Sequence, residues 1–287
     1  VLSADGAGTS AATVAAQRQV TVYDLLRHTS GMVYATFTPN AQLKELYTKA
    51  NVAWQGVTPA EQLETLARVP LARQPGTMWE YGMSTDVLGR VVEAVMGAPL
   101  GRVLDERVFR PLKMTDTTFH IQGQRVKRLA QPFETDRATG NPIALYDVTV
   151  APKNDAGGAG AAGTAVDYAR FLQMMANGGN LEGRRLLART TVRHMTSDHL
   201  GDIKPAHALL PVGYGFGLGF AVRRADGLNG TVGSAGQYTW GGAGGTTFWV
   251  DPKEQLVAVL MTQAQPGAWQ REFTELFRQL VYQAIAE

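Results

Sequence analysis

The chain contains no cysteine, which excludes disulfides and cysteine-ligated zinc but leaves the redox compartment, and so the location, open. It also lacks any long hydrophobic run. The densest apolar stretch, Leu256 to Met261, has the length of a strand, far short of the roughly 20 apolar residues of a bilayer-spanning helix. Residues 1 to 19 are rich in Ala, Gly, Ser and Thr but have neither a basic n-region nor a compact apolar h-region. They read as a surface loop rather than a signal peptide, and a signal further upstream stays open. Charge of either sign is balanced, 27 basic against 25 acidic side chains without long like-charge blocks. The pI of 8.8 therefore reflects a small excess, not a basic stripe, and argues against a nucleic-acid partner. The five histidines, His28, His120, His194, His199 and His207, form no H-E-x-x-H pair and no metal-ligand spacing, so no metal is expected. Finally, none of the six serines is followed three residues later by a lysine. The S-x-x-K arrangement, a hydroxyl nucleophile one helical turn ahead of a base, is missing.

What is present describes a globular chain. Its 287 residues, 45% of them hydrophobic, suffice for one large domain or two smaller ones with a real core. Thr21-Val22-Tyr23-Asp24 has the capping-box pattern and Gly31 follows as a stop. Thr58-Pro59-Ala60-Glu61 combines an N-cap, proline at the first helical position and an acid at the third, with Leu63 and Leu66 on an apolar face. From Ser84 to Met96, Val87, Leu88, Val91, Val92 and Val95 recur at helical spacing, and Gly97 sits where a C-terminal glycine belongs. Thr164 to Asp167 repeats the cap before Phe171, Leu172 and Met175, and Gly178-Gly179 ends that helix. A last helix from about Ala268 places Trp269, Phe273, Leu276, Phe277, Leu280 and Val281 on one stripe that should pack on a sheet.

Between the last two helices the texture changes. Tyr214–Val222, Thr231–Gly241, Thr246–Val250 and Gln255–Thr262 are aromatic and β-branched segments set apart by turn residues, and they read as strands. Asp251-Pro252-Lys253-Glu254 is short enough to join the last pair only as an antiparallel hairpin. Helices, then consecutive strands, then a closing helix predict an α+β fold. The 32 glycines concentrate at Gly157–Gly163 and Gly241–Gly245, through close approach to a ligand or, more plainly, irregular turns.

Tyr81 precedes a helix N-terminus, where partial positive charge favours an anion. As a general base its pKa must fall from about 10 toward 7, roughly 4 kcal/mol. One ammonium group in contact supplies about that much at an effective dielectric of 20. Without that lysine, Tyr81 is a half-buried packing residue with a hydrogen-bonded hydroxyl. Gly82-Met83-Ser84-Thr85-Asp86 misses the last glycine of a G-x-S-x-G elbow and no strand precedes it, so Ser84 is expected to cap the helix. His28-Thr29-Ser30-Gly31 reads as a hydroxyl-rich turn ending a helix, with substrate contact the less economical alternative.

Taken in order, Leu25-Leu26-Arg27-His28-Thr29-Ser30-Gly31, Tyr81-Gly82-Met83 before Leu88-Gly89, Gly157-Gly158 with Thr164 to Tyr168, Tyr214 to Gly219, and Trp240-Gly241-Gly242 resemble the serine β-lactamase and penicillin-binding-protein superfamily. They look most like its esterase branch, the family VIII carboxylesterases, and the resemblance spans nearly the whole chain. It implies a single β-lactamase-like domain over 1–287, an antiparallel sheet flanked by helices with a mostly helical region at 21–165, and the strands and last helix at 212–287. It implies a serine hydrolase of short-chain carboxylic esters, acting through an acyl-enzyme without a cofactor. Tyr81 takes the role of base, and Ala243 supplies an oxyanion-hole N–H. Met83, Trp240, Gly241 and Gly242 form the substrate wall. Trp240 stands where the family usually has the lysine of K-T-G, and Met83 where class C β-lactamases have an asparagine. Neither can hold a carboxylate or an amide, which favours an ester with an apolar acyl group. β-Lactam or D-amino-acid peptide hydrolysis, acyl transfer to an alcohol, and a non-catalytic binding protein on the same fold are the alternatives.

The family places S-x-x-K ahead of the H-T-S-G segment, so the resemblance makes the chain N-terminally incomplete. The nucleophile is then expected upstream, in further residues or in a second chain. The same segment contributes strands to the family's sheet. Residues 1–287 alone are therefore expected to expose a strand edge and an apolar face and to be unstable or to aggregate; a monodisperse, cooperatively melting preparation is the contrary result.

Overall fold

The structure, a computed structural model, describes residues 1–2, 13–50, 56–136, 139–143, 145–264 and 268–285, with the side chains of 268–271 outside that description. Most of the N-terminal segment read as a loop, residues 3–12, and the side chain of Trp269 thus lie outside the described residues. The helices come first in the chain. They are α1 (Val22–Leu26), α2 (Ala41–Ala50), α3 (Pro59–Leu66), α4 (Ser84–Met96), α5 (Leu100–Leu104), α6 (Ala165–Ala176) and, after the small hairpin β1 (Asn180–Leu181) and β2 (Arg184–Arg185), α7 (Arg189–Met195). Then follow β3 (Tyr214–Phe216), β4 (Ala221–Arg223), β5 (Tyr238–Gly241), β6 (Thr247–Asp251) and β7 (Leu256–Leu260), and α8 (Ala268–Gln283) closes the chain. The α+β class is as predicted.

The five strands β3 to β7 pair antiparallel in sequence order. The segment expected as one strand over Tyr214–Val222 is two, because residues 217 to 220 turn back so that Tyr214 pairs with Arg223. The strand expected from Thr231 begins only at Tyr238. The residues ahead of it are held in turns by side chains, as Asn229 accepts from Thr231 and Asp251 from the Ser234 N–H. The last hairpin pairs Asp251 with Leu256 as the short connection required. Alternation along β6 sends Phe248 against Tyr168 of α6 and Trp249 against Phe277 of α8, so the sheet is covered by a helix on each face.

The helix starts follow their caps. Thr21 and Thr58 each accept from the N–H three residues on, and Asp24 and Glu61 bond back to the cap N–H. Thr164 accepts from Asp167 N–H, and Gly97 ends α4 in the left-handed region. What these helices bury is less simple. In α4 the fully buried side chains are Ser84, Asp86 and Arg90 with Gly89, while Val95 is 78% exposed. The cause is close packing, since a Cβ on Gly157 would lie 2.4 Å from the Thr85 carbonyl oxygen of α4, an approach that only glycine permits. Likewise α3 buries Gln62, bonded to Asn154, and leaves Leu63 exposed. On α8 the expected stripe is broken, because Leu276 and Leu280 face solvent and Arg278 is the buried residue.

Candidate active site

Trp79 and Tyr81 lie in the segment that runs into α4. The Trp79 N–H donates to the Lys204 carbonyl and its own carbonyl accepts from Ala206. An extended chain puts residues i and i+2 on one face, so both rings enter the same aromatic cage. Around the Tyr81 ring stand His28 at 4.7 Å, Trp240 at 5.1 Å, Tyr34 at 5.5 Å, Phe37 at 5.6 Å and Trp79 at 6.5 Å between centroids. Such offset and edge contacts are each worth about 0.5–1.5 kcal/mol beyond burial. The ring of Tyr81 is therefore clamped.

The clamp depends on close backbone approach. A Cβ on Gly82 would lie 2.2 Å from the Met32 carbonyl oxygen, so only glycine lets the turn after Tyr81 seat against residues 32 and 33. Gly31, at φ +84, would meet the Arg73 carbonyl oxygen at 2.4 Å. Ser84 does not cap α4 as expected: the cap position is Met83, without a side-chain bond. The Ser84 hydroxyl is buried and pairs with that of Ser30 at 2.8 Å, stitching the H-T-S-G segment to the helix.

His28 is the element that the sequence reading left as an ordinary turn residue. It holds a left-handed φ of 55°, is 3% exposed, and its Nε2 lies 3.2 Å from the Thr85 hydroxyl. Burial pushes its pKa down to about 3, so the ring in the cage is neutral. Tyr34, also unforeseen, donates a short hydrogen bond to Asp86, whose other oxygen accepts from the Gly158 N–H at 3.2 Å. Gly157 and Gly158 are explained by approach to α4, because a Cβ on Gly157 would lie 2.4 Å from the Thr85 carbonyl oxygen and one on Gly158 2.7 Å from an Asp86 carboxylate oxygen. The period-two pair Trp79 and Tyr81 was a signal available in the sequence. His28, Tyr34 and Phe37 had none beyond lying in or just after the H-T-S-G segment.

For Tyr81 itself, burial raises the phenol above its usual range, a hydrogen bond from the Trp240 side chain works against that, and the Asp86 charge adds to it. The hydroxyl is thus a neutral phenol in this cage. On its far side β5 ends at Gly241 and a turn follows in which Gly242 N–H donates to Thr246 and Gly245 N–H to Gly242. Gly241, Gly242 and Ala243 are exposed, and the Ala243 N–H has no hydrogen-bond partner among the described residues. The Gly244 carbonyl is fixed from both sides by Thr262 and Ala264, so the turn presents that amide on a braced frame. Met83 is the correction among the expected wall residues. Its side chain is 1% exposed and packs with Val33, Leu43, Tyr47 and Ala72, a core beneath the cage, because the tight turn at Gly82 directs it inward.

Comparison with known proteins then places the chain. The Beta-lactamase family model matches residues 11–283. Protein Rv1367c of Mycobacterium tuberculosis is 35% identical over 273 residues, 91% of this chain and 67% of that protein. Esterase EstB of Burkholderia gladioli is 30% identical over 285 residues, 92% and 69% of the two chains. Among solved structures, EstCE1, a hydrolase with promiscuous acyltransferase activity, superimposes with a TM-score of 0.74 at 26% identity over 92% of this chain and 72% of its own. The chain spans about two thirds of the length of these curated relatives.

Proposed function

This chain belongs to the beta-lactamase family, and on that premise we propose that it carries the proton-transfer and oxyanion side of a serine esterase for short-chain carboxylic esters. The observation that carries the reading is the clamped Tyr81 phenol beside an exposed turn whose Ala243 amide is unspent. In this reading a serine oxygen attacks the ester carbonyl while Tyr81 takes the serine proton. The tetrahedral oxyanion accepts hydrogen bonds from the Ala243 N–H and from the nucleophile's own N–H. Tyr81 then returns the proton to the departing alkoxide, leaving an acyl-serine that water hydrolyses by the reverse sequence. No serine here precedes a lysine by three, and in this reading the acylated serine and its lysine are supplied by residues other than these.

The phenol's raised pKa fits that division of labour. Alone it is protonated, and an ammonium in contact, worth about 4 kcal/mol at an effective dielectric of 20, lowers its pKa by about 3 units from that raised value, so the lysine has to share the proton transfer. Esters are preferred over β-lactams because the wall next to Tyr81 is the Trp240 indole, which offers no charge to a carboxylate. Acyl transfer to an alcohol is the second reading, favoured by the likeness to EstCE1; it differs only in what attacks the acyl-serine.

Initial rates of the full-length gene product on p-nitrophenyl butyrate and on a cephalosporin test the substrate class, with faster ester turnover expected. Faster cephalosporin turnover defeats it. A fluorophosphonate probe should label the folded protein, and absence of labelling replaces the enzyme by a binding protein on the same fold.

A further inference from the structure

Phe37 is a large apolar side chain left 41% exposed, and its surroundings separate it from the scattered surface apolar residues that every protein carries. Its ring lies 5.6 Å from Tyr81 and 6.2 Å from Tyr34. It is presented by a braced turn: the N–H groups of Phe37 and Thr38 both donate to the Tyr34 carbonyl at 3.1 Å. Thr38 is buried at 7%. Tyr34 is in turn anchored through its hydroxyl to buried Asp86 and sealed by Gly158. A phenylalanine whose turn is fixed at both ends cannot fold inward to hide, yet it stands against the one phenol assigned to chemistry. Trp240 flanks that phenol as well, at 5.1 Å.

We propose that Phe37 is a specificity-determining residue: with Tyr81 and Trp240 it forms an aromatic clamp for the apolar arm of the ester. The inference rests on the esterase reading above and deepens it. Rings held in place before the substrate arrives lose little freedom on binding, so they grip a chain or a flat ring at low entropic cost. An acetyl group is too short to profit, whereas a longer acyl chain or an aromatic alcohol gains the contact. Because Phe37 makes no polar contact and touches no proton in transfer, it acts on binding of the apolar arm and not on the chemical step.

Phe37→Ala and Phe37→Leu in the full-length product test this on two series: p-nitrophenyl acetate, butyrate and hexanoate, which vary the acyl arm, and ethyl and benzyl butyrate, which vary the alcohol arm. In one series KM for the longest substrate should rise about tenfold in the alanine variant, the scale of one apolar contact in a binding pocket. The acetate or ethyl ester should stay within about twofold, kcat should hold, and leucine should restore part of the loss. The series that responds identifies which arm sits in the clamp. Equal losses throughout both series, or none, overturn the proposal. No ester turnover by the parent protein overturns the esterase reading, and the clamp with it. Thermal midpoints of both variants separate a binding effect from a folding defect.

Discussion

Two buried regions of this molecule put their polar groups to different uses. Behind the sheet, Gln237, fully buried, accepts from Tyr214 and from Arg278 at 2.9 and 3.0 Å and donates to Tyr282 at 2.7 Å. The Tyr282 hydroxyl donates in turn to Asp251 at 2.7 Å, and the Arg278 guanidinium lies 4.5 Å over the Trp249 ring. This set ties α8 to β3, to β6 and to the residue ahead of β5, although the Trp249 indole N–H is buried without a partner among the described residues. In the cage around Tyr81 the neighbours are rings, the Trp79 indole N–H is buried without a partner among the described residues, His28 is held neutral and the phenol is held protonated. A hydrogen-bonded set that joins a helix to the sheet serves the fold. The cage holds desolvated titratable groups, a neutral imidazole and a protonated phenol, of the kind that marks a functional site.

The sharpest way to break this contrast is to remove one polar group from each region. Tyr81→Phe in the full-length product should lower kcat for p-nitrophenyl butyrate by about 10²- to 10⁴-fold, the usual worth of a positioned acid or base. Its unfolding free energy should stay within about 1 kcal/mol, because only the bond with Trp240 is lost. A variant retaining kcat within a few-fold would remove Tyr81 from the mechanism. Gln237→Leu should do the reverse. It strands the Tyr214 hydroxyl and an Arg278 N–H, while Tyr282 keeps its bond to Asp251, and at about 1–3 kcal/mol for each buried group left unsatisfied, partly relieved by repacking, a net loss of about 3 kcal/mol is expected in urea unfolding. Turnover per folded molecule should not change. Equal damage by both substitutions to both readouts would show that the regions are one cooperative unit.

The same two regions were unequally legible in the sequence. Caps are local, so Thr21, Thr58 and Thr164 announced their helices through residues three positions away. The last hairpin followed from the length of its connection. Tyr81, Trp240 and the turn to Ala243 were identified through their likeness to an ordered set of motifs, each too weak alone. What periodicity misjudged was burial. Valines of α4 and leucines of α3 and α8 fit an apolar stripe, but the faces that pack are set by distant glycines and by polar pairs such as Gln62 with Asn154. Those contacts join residues far apart in the chain, as the ring contacts of His28, Phe37 and Trp240 with Tyr81 also do. No spacing rule encodes them. Met83 shows the same limit at one position, since motif alignment puts it on the wall and the turn at Gly82 turns it into the core.

The contrast is sharpened, with a smaller effect, by titrating the cage without touching the phenol. His28 has a folded pKa of about 3 because it is buried, against about 6.5 in an unfolded chain. The folded state therefore resists the proton that the unfolded state takes up first. The stability this represents is fully present above pH 6.5 and drains away as pH falls toward 3, at up to about 1.4 kcal/mol per pH unit. His28→Asn removes the titration while keeping a residue that tolerates the left-handed φ of 55°. The variant should be less stable at pH 7, having lost the ring contacts, but between pH 7 and pH 5 the parent should lose about 2 kcal/mol more than the variant. Asp24 does not interfere. Burial alone would raise its carboxyl, but hydrogen bonds from Arg18, Thr21 and Thr29 hold it well below the usual range, so its contribution is lost only as pH falls below about 4. Glu80 and Asp86, both raised by burial, are present in parent and variant alike and cancel in the difference. Parallel stability curves for the two proteins over that interval would mean that water reaches His28, and that the cage is wetter than its rings make it.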